Sequence, residues 1–303
     1  MAYLTHLKRF AIGAALLAAA LLVAGFGSAS ADLVAAQRRA VLAKAALDAT
    51  PARRLAPECA RRNTAFGAGE RVIYKIYYNL NFIWIPAGEV TFEVRDLGNQ
   101  YKLTATGVTY ASYEWFFKVR DRYESYVDKE TLLPTKAVRD IKEGNYELYE
   151  LINFDQRERK GVTYRGHSVT EAMARPKPFA AASCPHDVLS AIYFMRNHDL
   201  TDAEPGDLLP LTVVMSTDVH DLDVRYVGRE GDKKIKGLGR FDAAELAPQI
   251  VSGDVFSEDS EMRVWVSTGE SRVPLLIESP VSVGSVKAVL KSHERLRHPL
   301  VEQ

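Results

Sequence analysis

The sequence predicts an all-β (β-dominated) fold with one large antiparallel sheet that is curved or partly closed, like a barrel. From Gly69 onward the chain contains short runs rich in Val, Ile, Tyr, Phe and Thr, bounded by Gly or Asn. Apolar and polar residues nearly alternate within these runs, which is typical of antiparallel strands with one buried face. One stretch has a convincing helical pattern, and strand-like runs resume after it. About a dozen strands and one helix indicate a β-rich domain.

The N-terminus has the pattern of an export signal. A basic pair, Lys8 and Arg9, precedes an apolar run over Phe10–Gly27 and a small-residue site that ends at Ala31. This order predicts a signal peptide over residues 1–31 and export to the periplasm or cell envelope. The alternative is an uncleaved membrane anchor, because the run could just span a bilayer. We favour cleavage, since the run is mostly Ala and Gly and the cleavage pattern follows at once.

Residues 32–57 are rich in Ala and Arg. Alanine offers little apolar area to bury, so we interpret this segment as a marginal helix or a linker. Residues 58–303 are long enough to bury a sizeable core and are predicted to form a single β-rich domain.

Two stretches within the domain resemble each other. Residues 126–134 align with residues 265–274 once one residue is inserted in the second turn. Each stretch reads as a strand, a turn and a proline at the entry of the next strand, where proline withholds no needed donor. The match predicts an internal repeat of two related β-halves, at about 69–166 and 206–303, joined by a helical connection over 167–205. Chance resemblance of two hairpins is the alternative.

The helical stretch lies in this connection and reads "SCPHDVLSAIYFMRN". Ser183 suits the N-cap and Pro185 the first turn, which places the helix start near residue 184. Its apolar residues recur at a spacing of three and four, which predicts one buried face, consisting of Val188, Ala191, Ile192 and Met195.

Charge and motif content exclude several classes of protein. The chain has 39 Lys plus Arg and 39 Asp plus Glu, so no basic field favours a nucleic-acid partner. The sequence lacks the G-x-S-x-G elbow and S-x-x-K of nucleophilic enzymes, the zinc spacing H-E-x-x-H, and the G-x-G-x-x-G and P-loop motifs of nucleotide sites. We therefore expect no catalytic residues, no metal and no cofactor.

Two cysteines, Cys59 and Cys184, lie in the exported part of the chain. In an oxidising envelope such a pair more often forms a disulfide than stays free, so we predict a bond between them. Two buried thiols are the alternative.

The stretch "EWFFKVRDRYESYVDKETLLP" at 114–134 crowds aromatic and charged residues together. Strand parity places Phe117, Asp121 and Tyr123 on the inner face of the strand. A carboxylate among apolar neighbours must be paired or hydrogen-bonded, or have a raised pKa. Asp121 therefore either orients a ligand or serves in acid–base chemistry, or it bonds an internal Arg or Tyr that sets the strand register.

Residues 82–85, Phe-Ile-Trp-Ile, are four consecutive bulky apolar residues between two strand signals. At a hairpin tip, part of this run would be exposed and would suit a lipid, a ligand or a partner. In a strand buried on both sides the same residues would be structural. The candidate ligand-binding residues are Phe82, Trp84, Phe117, Asp121 and Tyr123.

Six ordered stretches together resemble the domain of unknown function 3108 family of exported bacterial proteins. These stretches are "AGERVIYKIYYN", "WIPAGEVTFEV", "SYEWFFKVRDRYESYVDKETLLP", "INFDQ", "CPHDVLSAIYFMRN" and "VWVSTGESRVPLLIESPVSVGSVKAVL". The resemblance spans about residues 58–292 and departs in the turn "WVSTGES", where relatives are expected to carry an Asp beside Gly269. It implies an envelope protein with a β-rich fold and supplies no activity or catalytic residue.

Three functional hypotheses follow. The first is a non-enzymatic envelope protein that holds an apolar ligand, a lipid or a polypeptide segment inside the curved sheet, with peripheral membrane contact compatible with this role. The second is a structural or assembly factor that binds another envelope protein along an open strand edge. The third is a polymer hydrolase that uses Asp121 and either Glu124 or Glu89 as its two carboxylates. Asp121 and Glu124 point to opposite faces of their strand, which disfavours that pair.

Overall fold

The computed structural model describes residues 52–80, 83–115, 117–249, 261–280 and 284–303. The predicted signal peptide and most of the predicted linker, residues 32–51, lie outside this part of the chain. The strands are β1 (Arg71–Leu80), β2 (Ile83–Asp96), β3 (Gln100–Thr109), β4 (Arg120–Asp128), β5 (Pro134–Glu143), β6 (Tyr146–Asp155), β7 (Lys160–Gly166), β8 (Pro176–Ala180), β9 (Pro185–His186), β10 (Leu208–Met215), β11 (Asp218–Ile235), β12 (Gly239–Pro248), β13 (Arg263–Ser267), β14 (Pro274–Pro280) and β15 (Ser285–Glu294). The helices are α1 (Val169–Met173) and α2 (Val188–Met195), with a 3-10 turn at Ala111–Tyr113.

These strands form one sheet across the described residues. Its order is β8 to β1 in reverse chain order, followed by β15 to β9, so that β1 and β15 pair in the middle. The pairings are antiparallel, apart from the parallel contact of the short β9 with β10. The predicted large antiparallel, β-dominated fold is confirmed.

The sheet curves around α2. The main buried core combines side chains of β1–β6 and β11–β15 with Leu189, Tyr193 and Phe194 of the helix. At the two ends of the sheet, Phe179 of β8 and Val214 of β10 belong to one apolar cluster. In the described part of the chain, these ends therefore meet through side-chain packing, while the strand order leaves β8 and β9 as unpaired edges.

The start of α2 differs from the prediction. Asp187, rather than Ser183, is the N-cap, and its carboxylate accepts the N–H groups of Leu189 at 2.9 Å and Ser190 at 3.2 Å. Pro185 lies in β9, because its segment pairs with β10 instead of entering the helix. The Ser125 hydroxyl of β4 also donates to Asp187, at 2.6 Å, which fixes the helix start against the sheet.

The two hairpins that resemble each other in sequence also share a turn geometry. Asp128 N–H donates to the Leu133 carbonyl and Ser267 N–H to the Val273 carbonyl, both at 2.9 Å. The residue before the accepting carbonyl has a positive φ in both turns, 60° in the first and 40° in the second. Each hairpin also has a bulge directly after its proline, on the same strand. The wider prediction of two related halves stays a prediction.

The segment before β1 is attached to the sheet at two points. Cys59 and Cys184 form a disulfide with a Cα–Cα distance of 5.2 Å, which is the bond predicted from the sequence. Nearer the N-terminus, the Leu55 N–H donates to the Leu208 carbonyl of β10 at 2.9 Å. No helix among the described residues combines the length and apolarity needed to cross a membrane.

Candidate functional site

An apolar cavity of about 180 Å³ lies between α2 and the strands that follow it in the chain. The helix lines it with the face that has a spacing of three and four residues, Val188, Ala191, Ile192 and Met195. Strands β10 to β14 form the opposite wall with aliphatic side chains, among them Leu222, Leu246, Val264 and Ile277. The cavity exists because a helix covers a curved sheet whose inner face does not fill the intervening space.

The cavity wall is mostly apolar, and its Tyr74 hydroxyl is hydrogen-bonded within the protein. The hydroxyl of Tyr74, which lines the cavity, donates to the Pro274 carbonyl at 2.8 Å, so this polar group is satisfied within the protein. Burial raises the pKa of Tyr74 and keeps the phenol neutral. An engineered apolar cavity of about 150 Å³ in another protein stays dry and binds benzene, so a void of this size and lining suits one slim apolar group.

Two arginines line the cavity, next to the C-terminal end of α2. Arg196 is fully engaged, because Glu70 accepts two of its hydrogen bonds and the Ser271 carbonyl accepts from its Nε and Nη2. Arg272 has a looser contact, with its Nη2 3.9 Å from Asp199 Oδ1. No carboxylate is present among the described lining residues.

The predicted tip residues lie away from this cavity. Phe82 is outside the described residues. Trp84 lies near the start of β2 and is 37% exposed, next to Ile83 at 65%. The Lys287 ammonium lies 4.5 Å from the centre of the Trp84 ring. Phe117 is buried, with its ring against Gly144 in the β5–β6 turn.

Asp121 and Tyr123 point inward from β4, as parity predicted, and are buried. Asp121 accepts the Lys142 N–H at 3.1 Å, and its carboxyl lies beside that of Glu143. Burial raises the pKa of Asp121 well above its usual range, and the negative charge of Glu143 raises it further. Burial likewise raises the pKa of Glu143, to about 7. Asp121 thus meets a backbone amide and a second carboxyl, and it interacts through charge with the buried Arg139.

The paired carboxylates of the hydrolase hypothesis do not meet. Glu124 lies on the outer face of β4, where its Oε1 is 2.9 Å from Lys102 Nζ. Glu89 faces outward from β2 and accepts hydrogen bonds from Tyr110 at 2.7 Å and Lys291 at 2.6 Å. Asp121 lies on the inner face, apart from both. The described residues also contain no group of three or more His, Cys, Asp or Glu that could hold a metal ion.

The strand edges are poor templates for another chain. Ala181 N–H donates to the Arg159 carbonyl at 2.8 Å, so alternation points the N–H groups of residues 177 and 179 toward β7. Positions 176, 178 and 180 then face outward, and the first two are prolines, so Ala180 is the residue of this strand that offers an N–H there. At the opposite edge, β10 is covered by β9 and by residues 53–55. Edges of this kind disfavour the assembly hypothesis.

The described candidates Trp84, Phe117, Asp121 and Tyr123 do not line the apolar cavity. The residues that do are those of the α2 face and its facing strands. The spacing of three and four residues in the helix was the sequence signal that could have identified this site, because all four residues of that face line the cavity. It predicted a buried face, whereas the structure shows that all four residues border a void and that Ala191 alone among them is fully buried.

Comparisons with known proteins identify a matching family and structures with a similar fold. The model of a family described as a protein of unknown function, DUF3108, matches residues 73–291. A crystal structure of a β-barrel-like protein of the domain of unknown function DUF1849, from Brucella abortus, is 10% identical, covers 77% of this chain and 99% of its own, and has a TM-score of 0.50. A candidate lipoprotein from Parabacteroides distasonis is 11% identical, covers 78% and 100%, and has a TM-score of 0.27. No curated protein matches the chain. The first structure supports a barrel-like fold, and the second carries no argument.

Proposed function

The chain belongs to the DUF3108 family, and on that premise we propose that it is a non-enzymatic, exported envelope protein that binds one apolar chain in the cavity beside α2. The observation that carries the proposal is the cavity wall itself. It places apolar side chains of one helix and seven strands around a void of about 180 Å³. Filling such a void with an apolar group removes apolar surface from water and restores packing contacts that the wall lacks.

The dimensions favour a single acyl chain among the apolar ligands considered. A void of this size encloses about six carbon atoms of one slim chain, and because the cavity is partly open, the rest of a longer chain can extend out of it. A folded polypeptide segment or a whole two-chain lipid is too large for it. The cavity follows the face of α2, whose eight residues span about 12 Å at 1.5 Å per residue. A linear chain suits that shape.

Two features support a location in the periplasm or cell envelope. The first is the signal-peptide pattern over residues 1–31, and the second is the Cys59–Cys184 disulfide. Disulfides persist in oxidising compartments outside the cytosol. Both fit a protein that encounters lipids in the envelope.

The proposal is tested by measuring the binding of dodecanol to the purified protein with titration calorimetry. Ala191→Phe places a ring in the cavity from the helix face and should weaken binding at least tenfold while leaving the protein folded. Leu189→Ala is the matched control on the same helix, because Leu189 is buried in the core outside the cavity lining. This variant should be less stable, yet bind dodecanol like wild type below its melting temperature.

Native mass spectrometry of the protein purified from its own envelope provides an independent readout. A co-purified chain on wild type that is absent from Ala191→Phe would support the proposal. Wild-type protein that fails to bind dodecanol would refute it, as would an Ala191→Phe variant that binds as well as wild type.

A further inference from the structure

We infer that the ligand is an anionic single-chain amphiphile, a fatty-acid-like carboxylate whose head group is bound by Arg272; this inference rests on the proposed function. The charged side chains that line the cavity all carry the same sign. Both charged residues in the described lining are arginines, and an apolar tail alone would not neutralise the charge of either. A ligand with an apolar chain and a negative group at one end would contact the apolar wall with its chain and pair with an arginine through its negative group.

Arg196 and Arg272 differ in how much of their charge is already neutralised. Arg196 is buried, pairs with the equally buried Glu70, and donates further hydrogen bonds to a backbone carbonyl. Its binding capacity is therefore used within the protein. Arg272 has 19% of its side chain exposed, and its partner Asp199 is 72% exposed. Their 3.9 Å separation exceeds hydrogen-bonding distance, so this surface pair contributes little and can exchange for a ligand carboxylate.

A second cation lies near Arg272. Arg61 is held by Glu58, with an Nη2–Oε2 distance of 2.7 Å, and its Nη1 donates to the Asn197 carbonyl at 3.1 Å. Burial lowers the pKa of Arg61, and repulsion from Arg272 lowers it further. Arg61 thus adds positive charge beside the C-terminal end of α2, and Glu58 balances part of that charge.

The position of Arg272 suits a ligand head group at the end of the cavity that lies next to the C-terminal end of α2. Arg272 belongs to the β13–β14 turn, whose Ser271 carbonyl accepts a hydrogen bond from Arg196, the C-cap residue of α2. The chain of the ligand would then extend along α2 toward Val188 at the helix start, over aliphatic side chains. A carboxylate paired with a guanidinium forms a charge-assisted hydrogen bond, which is stronger than a neutral one.

The test compares ligands that share a twelve-carbon chain and differ in head group. Laurate at pH 8 should bind wild type on the order of tenfold more tightly than dodecanol or dodecyltrimethylammonium. Arg272→Gln should remove this advantage while leaving dodecanol affinity within about twofold. Arg272→Lys, which keeps the charge, should retain part of it. Arg263→Gln is the matched control, because Arg263 lies on β13 outside the cavity lining and pairs with Glu245 at 3.0 Å.

A further variant acts in the opposite direction. Asp199→Asn removes the exposed carboxylate that competes for Arg272 and should tighten laurate binding without affecting dodecanol. Equal affinities for laurate and dodecanol in wild type would overturn the head-group inference while the proposed function stands. An unchanged laurate preference in Arg272→Gln would overturn it as well. Failure of every twelve-carbon ligand to bind would overturn both.

Discussion

Arg196, the C-cap residue of α2, forms a bidentate ion pair with Glu70, the residue that precedes β1. The distance from Arg196 Nη2 to Glu70 Oε2 is 3.1 Å, and the two residues are 126 positions apart in the chain. Their side chains are 5% and 0% exposed. The pair therefore fixes the end of the helix that lines the cavity to the first strand of the sheet.

Removing one partner of this pair should be costly. Glu70→Ala leaves a buried guanidinium without its counter-charge, and we expect the free energy of unfolding to fall by about 3–5 kcal/mol. Urea denaturation at pH 7 measures this change. The double variant Glu70→Leu with Arg196→Met should lose less, because no uncompensated charge remains. A loss below about 1 kcal/mol in Glu70→Ala would contradict a strong role for the pair.

The Asp121–Glu143 pair should make stability depend on pH. Burial raises the folded-state pKa of both carboxyls, to about 7 for Glu143, while in the unfolded chain they titrate near their ordinary values. The folded state thus binds protons more tightly than the unfolded state. The contribution of the pair is fully present below the unfolded pKa values and is lost as pH rises toward 7 and above.

Glu143→Gln isolates this effect. The amide can donate to Asp121 without a titrating proton, so the variant should be more stable than wild type at pH 8 and similar to it at pH 5. Urea denaturation at both values gives the difference. Glu147→Gln, at an exposed position of β6, is the control and should leave the pH dependence unchanged. Equal loss of stability by Glu143→Gln at both pH values would contradict proton sharing.

The exposed start of β2 should contribute little to stability. Trp84→Ser removes a 37% exposed ring and its contact with Lys287, worth about 0.5–1 kcal/mol at an exposed site. We therefore expect a loss of less than about 1.5 kcal/mol in thermal or urea unfolding. Trp265→Ser is the contrasting variant, because Trp265 is 5% exposed and should lose about 3–5 kcal/mol. Comparable losses at the two tryptophans would mean that Trp84 is buried on both sides.

The disulfide should stabilise the domain. The Cys59–Cys184 bond closes a separation of 125 residues, for which loop-closure entropy predicts about 4–5 kcal/mol. The double variant Cys59→Ser with Cys184→Ser should therefore unfold at a lower urea concentration than wild type. Reductant should shift the wild-type midpoint toward that of the variant and leave the variant unchanged. Two free thiols in the oxidised, denatured wild type would show that the bond is absent.

Much of the architecture was readable from the sequence because it follows from local periodicity. Alternation along β4 assigned Asp121 and Tyr123 to the inner face, and the burial of the strand agrees. The apolar spacing of three and four residues identified the helix face that lines the cavity, which consists of Val188, Ala191, Ile192 and Met195. The helix start was misassigned, since Ser183 and Asp187 are both good caps in sequence and only the pairing of β9 with β10 decides between them.

The sequence by itself determined the β-dominated fold, the inward position of Asp121 and the pairing of the two cysteines. Each depends on periodicity or on a small set of residue types. Tertiary structure alone decided that Asp121 meets Glu143, that Arg196 meets Glu70, and that the α2 face borders a void with Arg272 at one end. Periodicity tells which way a side chain points, whereas its neighbours depend on how the sheet curves around the helix. The candidate site therefore appeared on the second half of the sheet, away from the aromatic stretch of β4.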